Sequence, residues 1–415
     1  MLIKTLLNKC YHIKGFVYKY VTLDNNNTIE VTIVDRKNSK GRCGECKTKG
    51  PTYDHLKERC FLFISIWGFK VIFVYRPRRI ECKEHGITVE YMPWANGKSS
   101  ICEPLKLLLA HWAKQLSWKQ VAAEFKVSWV HVFEAVEYVV KYGLANRISD
   151  NVRAIGIDEI QYLKGHKYLT LVYQIDAGCR RLLYIGKDRT VKTLLRFFYR
   201  FGKERTQQIQ VVCSDLWKPY LKVVKRKISN AALHILDRFH IKKYLNEALD
   251  LTRKKETAQM KRDGYEPLLE KSRWAILKNK ANRTVNQMAK IKELLKYNLK
   301  TMRCLLLIEA FDYIWTYKSR FYAGRFLKDW ISKAMRSKLP ELKMVAKRLR
   351  KHQDLLLNYF SAKERFSNGT VEGFNLKAKL TMRRAFGFRT FKTIEIALYH
   401  VLGNLPEPKL CHNFF

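Results

Sequence analysis

The chain has 415 residues and is 47% hydrophobic, so several domains with real cores are expected. Its 80 Lys and Arg against 37 Asp and Glu give a formal net charge of +43, far more than solubility needs, which points to a polyanionic partner. No apolar run approaches the ~18 residues of a membrane span, and ten scattered cysteines do not resemble a secreted disulfide framework.

From about Gly15 to Arg36, the alternating runs FVYKYVTLD and TIEVTIVDR flank Asn25–Asn27 and predict a β-hairpin. Two knuckles follow. Cys43 and Cys46 form a C-x-x-C in GRCGECKTKG, and Cys82 and His85 form a C-x-x-H in RRIECKEHG. The stretch between them, FLFISIWGFKVIFVYRPRR, alternates like a strand pair and would bring the knuckles together. Each turn offers two ligands, which suits one tetrahedral zinc ion, although the gap between the pairs is longer than is usual for zinc ribbons. His55 and Cys60 are possible substitute ligands. Cys10, Cys102, Cys179, Cys213, Cys304 and Cys411 read as packing groups.

From Glu103 to Gly143 the pattern turns helical: PLKLLLAHWAKQL, then SWKQVAAEF, the turn KVS, and WVHVFEAVEYVVKYG. Ser117 and Ser128 stand at N-cap positions. Two helices joined by a short turn suggest a helix-turn-helix, with Lys119, Lys126, Trp129 and His131 presented to a DNA groove. An ordinary helical hairpin would look the same.

A three-stranded meander is predicted next, in RAIGIDEIQ, KYLTLVYQID and RRLLYIG, followed by a helix over Thr190 to Gly202 and the strand IQVVCS. Asp158 and Asp215 close the first and fourth of these strands. Glu372 arrives much later, on a helix in NGTVEGFNLKAKL. A carboxylate trio of this kind suits two magnesium or manganese ions, which stabilise the attacking and leaving oxygens of a phosphoryl transfer. Single acids at such places are commonly just solvated; the order of elements is what raises the trio above that background. Glu159 follows Asp158 directly, so alternation sends it to the opposite face, and it reads as structural. The basic helical stretch between Asp215 and Glu372 is too long for a loop and reads as an inserted α-helical domain. Its Trp274, Trp315 and Trp330 read as packing core, with base stacking as the alternative.

In this order the knuckles, the helix-turn-helix, and the segments GIDE, SDLWKPY, DRFH and NGTVEGFNLK resemble the DDE transposases of ISL3-type insertion sequences, over nearly the whole chain. The resemblance implies that Asp158, Asp215 and Glu372 are the catalytic, metal-binding carboxylates. It implies that Asp237 and His240, spaced D-x-x-H, support them. Lys379 lies about two helical turns beyond Glu372 and would hold substrate phosphate. Lys377, Arg383, Arg384 and Arg389 would form a basic rim for the DNA backbone. One departure is that His85 stands where the family usually has a cysteine.

The expected architecture is multidomain α+β. It comprises a zinc-ribbon-like β module (1–98), a helix-turn-helix (99–148), an RNase-H-like α/β core (149–257 and 361–415) and an all-α insertion (258–360). The expected protein is a cytoplasmic, nucleoid-associated bacterial enzyme with no membrane segment. Its partners would be double-stranded DNA, as terminal inverted repeats and target, and further copies of itself in a dimer or larger assembly. The alternatives are a DNA-binding regulator without catalysis, or a nuclease on the same core.

Overall fold

The computed structural model describes residues 3–95, 97–163, 165–362, 369–385 and 387–409, so Cys411 lies outside the described residues. It divides into two compact units, Met1–Ile148 with Thr381–Phe415, and Ser149–Leu380.

The first unit opens with helix α1 (Ile3–Cys10) and seven strands: β1 (Phe16–Leu23), β2 (Thr28–Asp35), β3 (Thr52–His55), β4 (Arg59–Ile66), β5 (Phe69–Tyr75), β6 (Arg78–Cys82) and β7 (Gly86–Val89). The two expected hairpins form. In the first, Asp24 Oδ1 accepts the N–H groups of Asn26 (2.7 Å) and Thr28 (3.1 Å), the local turn chemistry that Asp supplies. In the second, Trp67 and Gly68 both take positive φ, as a tight two-residue hairpin requires. Parallel pairing of β2 with β5 joins the hairpins into a sheet of order β1-β2-β5-β4. Its buried face gathers Tyr18, Val31, Phe61, Phe73 and Trp94, with the Phe63 and Phe73 rings stacked 4.4 Å apart. A smaller sheet, β3-β6-β7, carries the second knuckle. Buried Glu90 accepts from the Arg78 guanidinium and backbone N–H and from Tyr75 Oη, tying β5 to β6.

Helices α2 (Glu103–Gln115), α3 (Trp118–Glu124) and α4 (Trp129–Ala145) follow. Ser117 and Gln120 form a capping box on α3, and the Ser128 hydroxyl accepts from His131 N–H at the start of α4. Lys126 sits at φ 50° in the turn between them.

The second unit is built on β8 (Ala154–Leu163), β9 (Lys167–Asp176), β10 (Cys179–Lys187), β11 (Val211–Ser214) and β12 (Leu233–Leu236), in the order β10-β9-β8-β11-β12. The first three pair antiparallel; β11 runs parallel to both β8 and β12. Odd-numbered β8 residues Ile155 and Ile157 pack with Leu194, Phe197 and Phe198 of α5 (Val191–Phe201) and with Tyr220, Val223 and Val224 of a later helix. Between α5 and β11 lies the short α6 (Lys203–Gln207); α7 (Lys218–Lys227) links β11 to β12.

After β12 come α8 (Arg238–Arg262), α9 (Arg273–Leu277), α10 (Val285–Leu294), α11 (Lys300–Asp312), α12 (Arg320–Arg336), α13 (Pro340–Lys351) and α14 (Gln353–Ser361). They share one core that includes Leu245, Leu294, Leu305, Leu327, Leu342 and Leu349. Trp330 is in that core at 2% exposure, and its indole N–H donates to Leu307 O. Trp315 is half-buried under the Arg238 guanidinium, whereas Trp274 is 69% exposed.

Helix α15 (Gly369–Arg384) lays its first turns across the other face of β8. This needs Gly156: a Cβ there would sit 2.4 Å from Val371 Cγ2. Tyr173, paired with Gly156 across β9, stacks its ring on Phe374 at 4.8 Å. The last helix, α16 (Phe391–Leu402), belongs to the first unit and packs on α4, although residues 361–415 as a whole were expected to close the core. Its buried Ile394, Ala397 and Leu398 face that helix bundle, and Lys392 pairs with Glu137 of α4. Among the described residues, no helix is long and apolar enough to cross a membrane.

The Gly156 contact yields a direct test. Gly156→Ala is expected to cost about 2 kcal/mol in a denaturant melt by overpacking against Val371. Adding Val371→Ala should recover part of that loss; strictly additive losses would mean that the close approach does not constrain α15.

Candidate active site and metal centre

At the carboxyl end of the second unit's sheet, four acids and a histidine gather. Asp158 comes from β8, and Asp215 follows β11. Asp237 follows β12 and caps α8, where its Oδ1 accepts Phe239 N–H at 2.9 Å. His240 lies one turn into that helix, its Nε2 3.4 Å from Asp158 Oδ1. The donor atoms of Asp158, Asp237 and His240 lie within 4.8 Å of one another.

Asp158 is held on both oxygens: Oδ1 accepts Glu159 N–H at 2.7 Å, and Oδ2 accepts from Asn375 Nδ2. Asn375 is itself fixed by Tyr173 Oη, which donates to its Oδ1 at 2.9 Å. Asp215 is held differently. Its Oδ1 accepts Trp217 N–H at 2.9 Å and its Oδ2 accepts Arg189 Nη2 at 3.0 Å. Arg189 Nε also donates to Glu159 Oε1 at 2.9 Å, and its guanidinium lies 4.4 Å over the Trp217 ring.

The electrostatics follow from crowding. Burial, reinforced by Asp215 and Asp158 and opposed by Arg189, pushes Glu159 up to about 8. Burial likewise raises Asp237 to about 6, with Phe239 N–H and His240 working against it and the charges of Asp158 and Glu372 adding to it. For His240, burial disfavours the cation, but the hydrogen bond to Asp158 and the charges of Asp158, Asp237 and Asp215 prevail, so its pKa is raised. The site is thus a crowded pocket of hard oxygen donors in which further negative charge is disfavoured, and a divalent cation would relieve that crowding.

The candidates chosen from sequence are distributed as follows. Asp158, Asp237 and His240 form the tight cluster. Asp215 is buried at the same sheet end but bound to Arg189. Glu372 is exposed on the first turn of α15, close enough to Asp237 to raise its pKa. Lys377 and Lys379 are exposed on α15, and Arg383 and Arg389 are exposed further on. Arg384 instead donates from Nη1 to Gln115 O at 2.7 Å, closing the end of α2. In the first unit, Lys119 and Lys126 are exposed and Trp129 is 59% exposed, whereas half-buried His131 brings Nε2 to 3.3 Å from Ser100 Oγ.

The knuckles also meet. Cys43, Cys46, Cys82 and His85 have all donor atoms within 4.8 Å of one another. Cys46 Sγ and Cys82 Sγ are 3.6 Å apart, and Cys82 Sγ is 3.7 Å from His85 Nδ1. Metal–thiolate bonds of about 2.3 Å in a tetrahedron separate two sulfurs by roughly 3.8 Å, so the spacing fits one ion. The Thr88 hydroxyl beside Cys43 Sγ, with backbone N–H groups of Cys46 and Glu45, favours the thiolate and lowers Cys43 to about 6 despite its burial. His55 and Cys60 are not part of the cluster.

Comparison with known proteins identifies the family. A transposase family model of the ISL3 type matches residues 155–398. The chain is 30% identical over 401 residues to the transposase for insertion sequence element IS1557 of Mycobacterium tuberculosis, covering 90% of this chain and 88% of that protein. It is 24% identical over 350 residues to the transposase for insertion sequence element IS1001 of Bordetella parapertussis, covering 84% and 85%. The chain belongs to the ISL3-type DDE transposases.

For this ISL3-type transposase, three residues of the site escaped sequence reasoning. Asn375 had a usable signal, since it stands one helical turn after Glu372 and so shares its face. Glu159 does take the face of β8 opposite to Asp158, but the pairing of β8 with β11 stops at Gly156, so both faces of the next residues border the same rim. Arg189 follows β10 in a loop, and no spacing marks it.

The knuckle geometry makes a prediction for the transposase. Cobalt(II) titration should give one equivalent with the visible absorption of a tetrahedral thiolate complex, lost in Cys46→Ala and Cys82→Ala. A featureless octahedral spectrum would contradict the four-ligand site.

Proposed function

We propose that this chain is the transposase of an insertion sequence: it binds the element's terminal inverted repeats as double-stranded DNA, cuts at their ends, and joins them to target DNA. The observation that carries this reading is the sheet end itself. Asp158 stands within β8 and Asp215 follows the adjacent parallel strand β11, while Glu372 on the first turn of α15 is near enough to Asp237 to raise its pKa. Three antiparallel strands followed by two parallel ones is the order of an RNase-H-like core, here with an α-helical insertion between the second and third acids.

In this reading Asp158, Asp215 and Glu372 hold two magnesium or manganese ions, with Asp237 and His240 supporting them. Such ions, when bound, acidify water and stabilise both oxygens of an in-line phosphoryl transfer. The chain's own groups do the rest. Asn375 and Glu159 N–H orient Asp158; Trp217 N–H and Arg189 orient Asp215. His240 sets its Nε2 3.4 Å from Asp158 Oδ1. Lys377, Lys379, Arg383 and Arg389 meet the DNA backbone as a mobile-counterion substitute.

The first unit would supply recognition. A zinc ion on Cys43, Cys46, Cys82 and His85 is the natural occupant of a three-thiolate, one-imidazole set, and its role is structural. Lys119, Lys126 and Trp129, at the amino-terminal ends of α3 and α4 and in the turn between, form the exposed face of a helix-turn-helix suited to a major groove. Two ends must be paired during transposition, so a homodimer or larger assembly acts on DNA in the bacterial cytoplasm.

The test is magnesium-dependent scission of labelled duplexes that end in the element's own repeat. Wild type should cut at the repeat boundary. Asp158→Asn and Asp215→Ala should lose more than about a hundredfold in rate while repeat affinity stays within about threefold. Persistent scission in either variant would sink the carboxylate assignment. Tight repeat binding without scission by wild type would make the chain a repeat-binding regulator instead.

A further inference from the structure

Arg189 is the cation of the site that no motif marks, and its geometry is more specific than charge balance demands. Its loop is fixed. Asp188 takes φ 70°, its N–H donates to Tyr168 O at 2.9 Å, and its carbonyl accepts from the fully buried Thr170 hydroxyl at 2.8 Å. Thr190 then caps α5 immediately after Arg189. A side chain leaving this loop starts from a well-defined point.

The guanidinium is then held on three sides. Glu159 takes Nε, Asp215 takes Nη2, and the Trp217 indole takes one flat face. Glu159 and Asp215 are nearly buried, with side chains 7% and 8% exposed, whereas that of Arg189 is 31% exposed. Arginine has five N–H donors in a rigid plane. Two are used here, both on the Nε/Nη2 edge. Of the three others, one on Nη1 and one on Nη2 share the Nη1/Nη2 end and the third, on Nη1, points to the Cδ side; among the described residues none of them has a partner.

A planar donor edge, locked in place beside a metal-binding carboxylate and left open, is the arrangement that grips a phosphate in two-point fashion. A lysine could neutralise Glu159 and Asp215 but would offer no second edge. We propose that Arg189 binds a non-bridging phosphate oxygen of the DNA strand at the reacting end, directly beside Asp215, and that Glu159 and Trp217 are the positioning residues that aim it. The inference rests on the phosphoryl-transfer reading above and adds a substrate contact to it.

The consequences for the neighbours are concrete. Glu159 serves the site from the face of β8 opposite to Asp158, by holding Nε. Asp215 divides its carboxylate: Oδ1 is fixed by the Trp217 amide, and Oδ2 keeps a lone pair beyond its bond to Arg189. The phosphate that Arg189 binds therefore lies within the reach of Asp215, so one residue pair couples substrate binding to the catalytic rim.

The test is a methylphosphonate scan. Repeat-end duplexes each carry one neutral methylphosphonate, from two phosphates before the cleavage point to two after it. Affinity and scission rate are measured for wild type, Arg189→Ala, Arg189→Lys and Glu159→Ala, each checked for a native melting transition.

Wild type should lose about a hundredfold in scission at one phosphate of the scan. Arg189→Ala should be about a hundredfold slower than wild type on unmodified DNA and lose less than threefold further at that same phosphate. Arg189→Lys should keep much of the affinity but not the rate, and Glu159→Ala should show a reduced penalty at that position only.

If Arg189→Ala suffers the wild-type penalty at every phosphate, Arg189 is only a strut between Glu159 and Asp215 and the proposal falls. If Arg189→Ala does not fold, Arg189→Lys decides by the same comparison. Failure of wild type to cut any unmodified duplex would sink the enzyme reading, and the affinity arm of the scan would then decide for or against the phosphate contact by itself.

Discussion

Like charges gathered in a partly buried space set the terms for the second unit. Asp158, Glu159, Asp215 and Asp237 approach one another at a single sheet end, and Asp158, Asp215 and Asp237 are buried. Coulomb repulsion at short range in a medium of low polarity is costly, and so is removing each carboxylate from water. The fold offsets both with fixed groups. Backbone N–H donors from Glu159, Trp217 and Phe239, the Asn375 amide and the His240 imidazole each face one acid, and the Arg189 guanidinium spans two, Glu159 and Asp215. In the proposed reading, cations and the phosphates that accompany them give a purpose to this otherwise unfavourable cluster.

That rim depends in turn on how closely α15 meets β8. Gly156 removes the side chain that would hold the helix away, Tyr173 receives Phe374 on its ring, and Asn375 arrives at Asp158. A helix that follows a long insertion is thereby returned to the strand that carries the first acid. The helices between Asp237 and α15 belong to the same unit as the sheet and pack around a core that also takes in Leu216 and Leu236 from its edge. They can therefore lengthen the chain between two acids without loosening the site those acids form.

Much of this was legible because it is local. The short apolar run before Asp215 announced a strand ending at that acid, and D-x-x-H announced an N-cap followed by a residue one turn on; Asp158 was expected to close its strand, but β8 runs on to Leu163 because β9 continues to pair with it. The C-x-x-C and C-x-x-H turns announced a cluster of four close donor atoms. What was not legible is non-local. Periodicity in FKTIEIALYHVL marks a helix but not whose core it serves, and α16 joins the first unit. Parallel pairing of β2 with β5 leaves no trace in either hairpin. Arg384 reads as one more basic residue of a rim, yet it closes the end of α2. Arg189 was invisible because its role depends on partners from two other segments, Glu159 in β8 and Asp215 and Trp217 after β11, and no spacing along the chain encodes that.

The central claim is that the rim formed by Asp158 and Asp215 is where metal ions and a DNA strand end meet. Anomalous scattering from manganese, in crystals of the protein bound to a repeat-end duplex, addresses it most directly. The account predicts manganese peaks bonded to carboxylate oxygens of Asp158 and Asp215, with a DNA phosphate bridging to the same ions. Manganese absent from these carboxylates while the repeat end is bound, or a strand end lying away from them, would contradict it.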